Sequence, residues 1–280
     1  MVEFYRPSTL QDALKIRAGE KTVVFAGGTD LMVRARVWFG VPSRFDLPIL
    51  YIGNLPELKG ITVEGGTVRI RAATSLTDIA EDGRTPEPLR TAILSMAAPA
   101  IRNMGTIGGN ICNASPAGDT LPVLYAFDAV LTLQSADSQR EVLISEFITG
   151  PGKTVLRDDE ILTEIRFDVP DYDVFVFRKV GTRKANALSK LSFFGMLHFD
   201  GDVVGDFRAS FGAVAPTVVR SRELEERIIG LSRNDAKSRI DELLAGYSEL
   251  IRPIDDQRST AFYRKNVSLR LLKHFMEENL

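Results

Sequence analysis

Ala26-Gly27-Gly28-Thr29-Asp30 and, much further along, Thr106-Ile107-Gly108-Gly109-Asn110 are the two stretches on which the reading of this chain turns. Each follows a short apolar run, and each precedes a segment able to start a helix. Glycine lacks a Cβ, so the backbone can enter φ > 0 and a ligand can approach the N–H groups closely. Successive N–H groups in such a turn form a concave anion site. Two such sites facing one another would hold a pyrophosphate from both sides, as a dinucleotide requires. A single Gly-Gly is as readily a plain tight turn. Two of them, flanked by Thr and by Asn or Asp, favour the ligand. The G-x-G-x-x-G fingerprint is absent, which argues against a Rossmann domain while keeping a nucleotide.

The surroundings fit alternating strands and helices. Residues 21–26 read as a buried strand running into the first turn. Residues 31–37 then form a short helix or an extended loop. Upstream, Ser8 and Gln11 make a capping box for a helix over 9–18. Residues 49–52 and 68–72 read as strands, the second entered through a Gly65-Gly66 hairpin turn. Pro86 or Pro88 starts a helix with Leu89, Ile93 and Met96 on one face, and Pro99 ends it. Asp119 heads a helix over 121–127. Residues 130–134 and 141–144 pair as strands, and 162–169 is another. The stretch 150–154 resembles a phosphate loop only superficially, because Phe147 stands where the first glycine is required. It reads as a loop between strands. Pro170-Asp171-Tyr172-Asp173 marks a domain boundary. Beyond it come strands over 174–180, 190–199 and 203–214, the last two joined at Asp200-Gly201-Asp202. Helices follow near 222–229, 234–246 and 257–278, the last with Phe262, Val267, Leu271, Leu272 and Phe275 near one face.

Composition narrows the function classes. The 280 residues suggest about two domains. A hydrophobic share of 44% is enough for proper cores. A net charge of −2 gives no electrostatic case for nucleic acid or an anionic membrane. Cys112 is the single cysteine, so the chain alone holds neither a disulfide nor a thiolate cluster. His198 and His274 are too few for a histidine metal site. The start, Met1-Val2-Glu3-Phe4, has no signal-peptide character, and no apolar run reaches about 18 residues. The expected location is cytoplasmic.

The two glycine motifs, with Ala114-Ser115-Pro116 and Asp119 after the second, resemble the FAD-binding medium subunit of the molybdenum hydroxylases. That family includes xanthine dehydrogenase and aerobic carbon monoxide dehydrogenase. Residues 55–61, 147–154 and Tyr263-Arg264-Lys265 support the resemblance, which runs nearly the whole length. It implies an α+β chain with a two-subdomain FAD-binding fold of the vanillyl-alcohol oxidase type. The implied FAD-binding domain covers 1–170, with a subdomain boundary near 55–60. A C-terminal domain over 171–280 would carry a three-stranded antiparallel sheet and helices.

The resemblance also assigns residues. Val24, Phe25, Ala26, Gly27, Gly28, Thr29, Asp30 and Leu31 would wrap the FAD diphosphate, with Leu31 approaching the flavin ring. Thr106, Ile107, Gly108, Gly109 and Asn110 would meet it from the other subdomain. Asp119 would sit near a ribose or ribityl hydroxyl, and Met96, Ile161 and Lys179 would line the cofactor. Some of these positions have plainer readings. Asp30 is expected to point away from a diphosphate and cap the following turn. Asp119 is either a helix N-cap, a hydroxyl contact or both. Lys179 by itself reads as a strand-end surface lysine, Cys112 as a packed small residue, and Trp38-Phe39 as core. No catalytic acid–base pair and no metal ligand is expected on this chain.

The implied function is that of an electron-transfer subunit. A large partner would carry the molybdenum cofactor and a small partner the iron–sulfur clusters. Electrons would pass from this chain to NAD⁺, a quinone or oxygen. Two rival readings are a stand-alone FAD-dependent oxidoreductase of the same fold and an assembly subunit that has lost its flavin.

Overall fold

The computed structural model describes residues 2–36, 38, 44–183 and 186–280. Its contacts divide the chain into two units. The first comprises Met1–Thr85, Ala98–Ala114 and Ala129–Asp168; the second comprises Pro86–Ala97, Ser115–Asp128 and Val169–Leu280. Two pieces of the N-terminal 170 residues therefore belong with the C-terminal segment.

Two main sheets and a small two-stranded hairpin make up the strands described in the first unit. Strands Phe4–Tyr5, Ile49–Tyr51 and Val23–Phe25 form a parallel sheet in that order. Helix Leu10–Gly19 connects two of them, as a parallel pair requires. Thr9, not Ser8, caps this helix: its Oγ1 accepts from the Asp12 amide at 3.1 Å. The 3₁₀ turn Pro56–Leu58 leads into an antiparallel sheet of Ile61–Glu64, Thr67–Arg71, Ile161–Asp168, Val130–Gln134 and Gln139–Leu143. One apolar cluster ties the sheets together, joining Leu14 of the helix, Leu50 and Ile52 of the parallel sheet, and Ile161 of the antiparallel one. Ile148–Gly150 and Lys153–Thr154 pair as a small hairpin around Gly152 at φ 68°, so the stretch with the false phosphate-loop signature is a turn between strands.

The second unit is built on an antiparallel sheet of Val174–Val180, Leu191–Asp200, Val203–Gly212 and Val219–Arg220. The fourth strand, two residues long, adds to the three expected. Phe193, Phe207 and Phe211 pack with Tyr247, Leu272 and Phe275 from the following helices. The stretch 234–246 is two helices, Arg233–Ser238 and Ile240–Leu250, rather than one. In the last helix, Ala261–Asn279, the buried line runs through Arg264, Ser268, Leu272, Phe275 and Met276. Phe262 lies off that line and is 80% exposed, contrary to its expected place on the apolar face.

Why the inserted pieces join this unit follows from their side chains. Helix Leu121–Ala126 is buried along its length and packs on strand Val203–Gly212. Ser210 Oγ donates to the Pro122 carbonyl at 2.7 Å. Past the helix, Asp128 receives Arg208, Arg220 and Arg222. Such burial offers the helix a better partner than solvent, wherever its residues fall in the sequence. Pro99 begins helix Pro99–Met104 in the first unit rather than merely ending the one before it, because proline suits the first helical position.

The link before the last helix is fixed by one carboxylate. Asp256 accepts from the amides of Arg258 at 2.8 Å and Ser259 at 3.1 Å, and pairs with the buried Arg264 at 2.6 Å. The Arg264 guanidinium is the main reason its carboxyl falls from 3.8 to about 2. A depressed carboxylate stabilises the fold above its unfolded pKa and loses that contribution as pH falls through the folded one. Asp256→Asn should therefore cost roughly 1–3 kcal/mol at neutral pH. In denaturant titrations, the gap to the parent protein should close as pH falls from about 4 to about 2. A gap independent of pH would show that the charge is not its source.

Candidate functional site

The first glycine turn leaves the carboxyl end of strand Val23–Phe25. Ligands of open parallel sheets bind at such ends. Gly28 stands at φ 69°, where side chains are strained. A Cβ on Gly28 would lie 2.2 Å from the Phe25 ring. That ring folds back beneath the turn and tilts against Tyr51 at 5.9 Å. Gly27 is constrained from the other side: its Cβ would lie 1.8 Å from the Met104 carbonyl oxygen. A Cβ on Gly105 would stand 3.4 Å from Thr29 Oγ1. The approach to the second motif thus touches the first. Met32 N donates to Gly28 O at 2.9 Å, winding the turn into helix Leu31–Arg34.

Among the described residues, the amides of Gly28, Thr29 and Asp30 have no protein acceptor. Three consecutive donors in a turn with a left-handed glycine suit a phosphate oxygen. Asp30 occupies the helix N-cap position, but its side chain makes no capping hydrogen bond and is exposed. The expected cap is not formed.

The second turn works differently from the first. Its residues form helix Ile107–Cys112, capped by Thr106, whose Oγ1 accepts from Gly109 N at 3.1 Å. Ile107 N donates to Thr74 O at 3.2 Å, and Gly108 N to Ala72 O at 2.9 Å. These amides are committed to the protein, so the expectation of free donors from both turns holds only for the first. Gly108 is required by packing, since a Cβ would sit 2.7 Å from both the Cβ and carbonyl oxygen of Ala72. Gly109 is exposed, and a Cβ there would meet only Thr106 Oγ1, at 2.9 Å. That bare glycine face beside the first turn leaves room for a close-lying ligand.

Arg34 adds what neither motif supplies. Its Nη1 donates to Asn113 Oδ1 at 3.0 Å, joining the helix after the first turn to the end of the helix after the second. The free amides, the glycine surface and a nearby guanidinium fit a dianionic linker such as the FAD diphosphate. Val24 and Ala26 pack on the cluster containing Ile161, which is itself 2% exposed and lies in the core with them.

In the second unit, Asp119, Lys179 and Ser189 form a buried group. Lys179 Nζ lies 2.7 Å from Asp119 Oδ2 and donates to the Ser95 carbonyl at 3.2 Å. Ser189 Oγ donates to Asp119 Oδ1 at 2.5 Å. Burial pushes the Asp119 carboxyl above the usual carboxylate range, and Lys179 and Ser189 partly offset that rise. Asp119 is not the helix cap: Thr120 holds that position, without a side-chain hydrogen bond. Lys179 is a buried partner, not a surface lysine. Met96, half-buried, lies just past helix Glu87–Leu94 in this unit. Ser95, Ser189, Arg34 and Asn113 carry no local sequence signal. Each is found only through a partner distant in the chain.

Cys112 ends its helix with a thiol that burial pushes up to about 12, so it is a packed thiol and not a reactive one. Trp38 is 74% exposed and therefore not core; Phe39 lies outside the described residues. Among the described residues, no group of side chains could hold a metal ion, and no helix is long and apolar enough to cross a membrane.

Comparison with known proteins adds independent findings. Residues 1–170 match the family model described as the FAD binding domain in molybdopterin dehydrogenase. Residues 176–279 match the CO dehydrogenase flavoprotein C-terminal domain. The xanthine dehydrogenase FAD-binding subunit of Escherichia coli is 34% identical over 230 residues, covering 80% of this chain and 77% of that one. The glyceraldehyde dehydrogenase medium chain of Sulfolobus acidocaldarius is 32% identical, covering 98% and 97%. Among solved structures, carbon monoxide dehydrogenase from Hydrogenophaga pseudoflava superposes with a TM-score of 0.87 at 25% identity, covering 98% of this chain and 95% of that one.

The buried Asp119–Lys179 pair can be tested directly. Lys179→Met leaves a buried carboxylate without its cation and should cost about 3–5 kcal/mol. Adding Asp119→Asn should recover most of that loss. Denaturant titration of the parent, both single variants and the double variant reads the coupling. A double variant no more stable than Lys179→Met alone would show that the charge pair is not responsible.

Proposed function

Because this chain belongs to the family of FAD-binding medium subunits of molybdenum hydroxylases, we propose that it takes electrons from an iron–sulfur partner and passes them to NAD⁺, a quinone or oxygen. It is an oxidoreductase subunit with FAD as its cofactor. The observation that carries the reading is the row of unpaired amides at Gly28, Thr29 and Asp30, set against the approach to the second glycine turn.

The residues that would hold FAD follow from that row. Val24 to Leu31 would wrap the diphosphate, with the three amides as its donors and Phe25 as the floor. Hydrogen bonds to a charged group contribute roughly 1.5–3 kcal/mol each. Gly109 and its neighbours Thr106, Ile107, Gly108 and Asn110 would form the opposing wall. Arg34 would supply positive charge that the motifs lack. Asp119 and Lys179 would meet cofactor hydroxyls or ring atoms, with Met96 as apolar lining and Ile161 supporting the site from the core. Bound FAD supplies the redox chemistry, and the protein contributes binding, orientation and electrostatics.

The division of labour is consistent with the cysteine content. One cysteine cannot ligate an iron–sulfur cluster, which needs several thiolates. The clusters would therefore sit on a small partner and the molybdenum cofactor on a large one. Burial pushes the Cys112 thiol up to about 12, so it stays protonated at neutral pH.

The purified chain should take up FAD with a dissociation constant on the order of micromolar or below. Gly109→Val should weaken uptake at least about tenfold, about 1.4 kcal/mol. Its thermal midpoint should fall modestly, because the added Cβ presses on the Thr106 Oγ1 that caps the helix. Gly28→Val should also lose flavin, with added strain from the left-handed backbone. Equilibrium dialysis and the flavin absorbance read both. A chain that ignores added FAD, or Gly109→Val with full flavin content, would refute the assignment.

A further inference from the structure

Asp119 is gripped from both ends of one stretch of chain. Lys179, on strand Val174–Val180, reaches its Oδ2 at 2.7 Å. Ser189 lies just before strand Leu191–Asp200 and donates to its Oδ1 at 2.5 Å. Lys190 N donates to Val180 O at 2.8 Å, which extends the ladder between the two strands and sets both residues at its end. The carboxylate thus receives one donor on each oxygen and is held in one orientation. Ser189 is 1% exposed, whereas its neighbour Leu188 is 60% exposed. An apolar residue faces solvent and a hydroxyl faces inward, the reverse of what burial alone selects. The Asp119 carboxylate is the partner that turns Ser189 in.

That hydroxyl bears on charge as well as on orientation. Burial favours the neutral form of Asp119, and an O–H donor favours the ionised one. Without Ser189, Oδ1 would be a buried acceptor lacking its donor, and taking up a proton would relieve it. Lys179 would then be an ammonium without a counter-charge. The pair would pass from neutral overall to one positive charge. The Lys179 ammonium has three N–H groups and spends two, on Asp119 and on the Ser95 carbonyl. The third has no acceptor among the described residues, so the pair can present its charge to a ligand.

We propose that Ser189 is a positioning residue for the electron transfer: its hydroxyl holds Asp119 ionised and aligned on Lys179, and so keeps a balanced pair facing the cofactor. This rests on the function proposed above. A group that accepts electrons gains negative charge, and an uncompensated ammonium beside it favours the reduced form. Ser189 therefore keeps the reduction potential of bound FAD low, acting through Asp119.

The test has two arms, both on the full chain. Without cofactor, the carboxyl-carbon resonance of Asp119 at neutral pH, assigned with Asp119→Asn, reports its protonation. The parent and Ser189→Thr should show a carboxylate, and Ser189→Ala a neutral carboxyl. Ser192→Ala is the control, and it should match the parent. It removes an equally buried hydroxyl that stands opposite Lys179 in the sheet and has no hydrogen-bond partner. With FAD bound, redox titration followed by flavin absorbance should place Ser189→Ala above the parent by roughly tenfold in the reduction equilibrium, about 30 mV for a two-electron couple. Ser189→Thr should return to the parent value, and Ser189→Ala should shift nothing in an Asp119→Asn background. An ionised Asp119 in Ser189→Ala, a shift equalled by Ser192→Ala, or an unmoved potential with Asp119 protonated would each overturn the proposal. A parent that takes up no FAD sinks the functional reading and this role with it, and the first arm separates that failure from one in the link between Ser189 and Asp119.

Discussion

The contact between Gly27 and the Met104 carbonyl holds the candidate site together. No atom larger than hydrogen fits between them, since a Cβ would intrude to 1.8 Å. The close approach sets the first turn beside Gly105 and so beside the cap of the second helix. Leu76 N then donates to Gly105 O at 2.9 Å, and Ile107 N to Thr74 O, locking the second segment to the end of the antiparallel sheet. Two sheets of different kind are thereby joined at one point, where the first turn keeps three donors unspent. A substitution at Gly27 would separate the walls before it changed any group that touches a ligand.

The two motifs were legible for unequal reasons. The first is local: a strand, a left-handed Gly28 and a short helix lie in one run, and their chemistry follows from the residues there. The other glycine pair has a similar sequence but a different use, because its amides are taken by Ala72 and Thr74, carbonyls well upstream. Nothing within Thr106 to Asn110 announces that. Asp119 shows the same limit. A helix-start pattern suits it, yet Lys179, 60 positions away, holds its carboxylate instead. The cap moved one residue along, to Thr120, and lost its side-chain bond.

Apolar side chains misled in the opposite direction. Trp38 and Phe262 read as core by type and position, but both are exposed. The last helix buries Arg264 and Ser268 instead, because each finds partners there, although the Arg264 Nε has none among the described residues. Ser268 Oγ donates to the Arg264 carbonyl at 2.8 Å, and Arg264 donates to Ala213 O at 3.3 Å and pairs with Asp256. A buried polar group with partners costs little, whereas its removal would strand those partners. Periodicity counts apolar residues and cannot see such pairings, so it found Val267, Leu271, Leu272 and Phe275 on the inner face but misplaced Phe262 and missed Arg264 and Ser268.

Two buried charge pairs in the second unit are partnered differently. Arg220 and Glu225 are both buried and meet at 2.9 Å, and Arg220 also reaches the Tyr125 carbonyl and Asp128. The Arg220 Nε, Nη1 and Nη2 all donate to protein acceptors, and the pair fastens the inserted helix to the sheet. Lys179 and Asp119 are as deeply buried but fasten little: their further partners are one carbonyl and one hydroxyl. A buried ion pair is weak evidence for stability, because desolvation offsets most of the attraction. A hydrophobic pair would serve packing as well. What an ion pair offers that a hydrophobic pair does not is a fixed ammonium and a fixed carboxylate, already oriented before any ligand arrives. That is what recognition of a polar cofactor demands, since groups held in place need no ordering on binding.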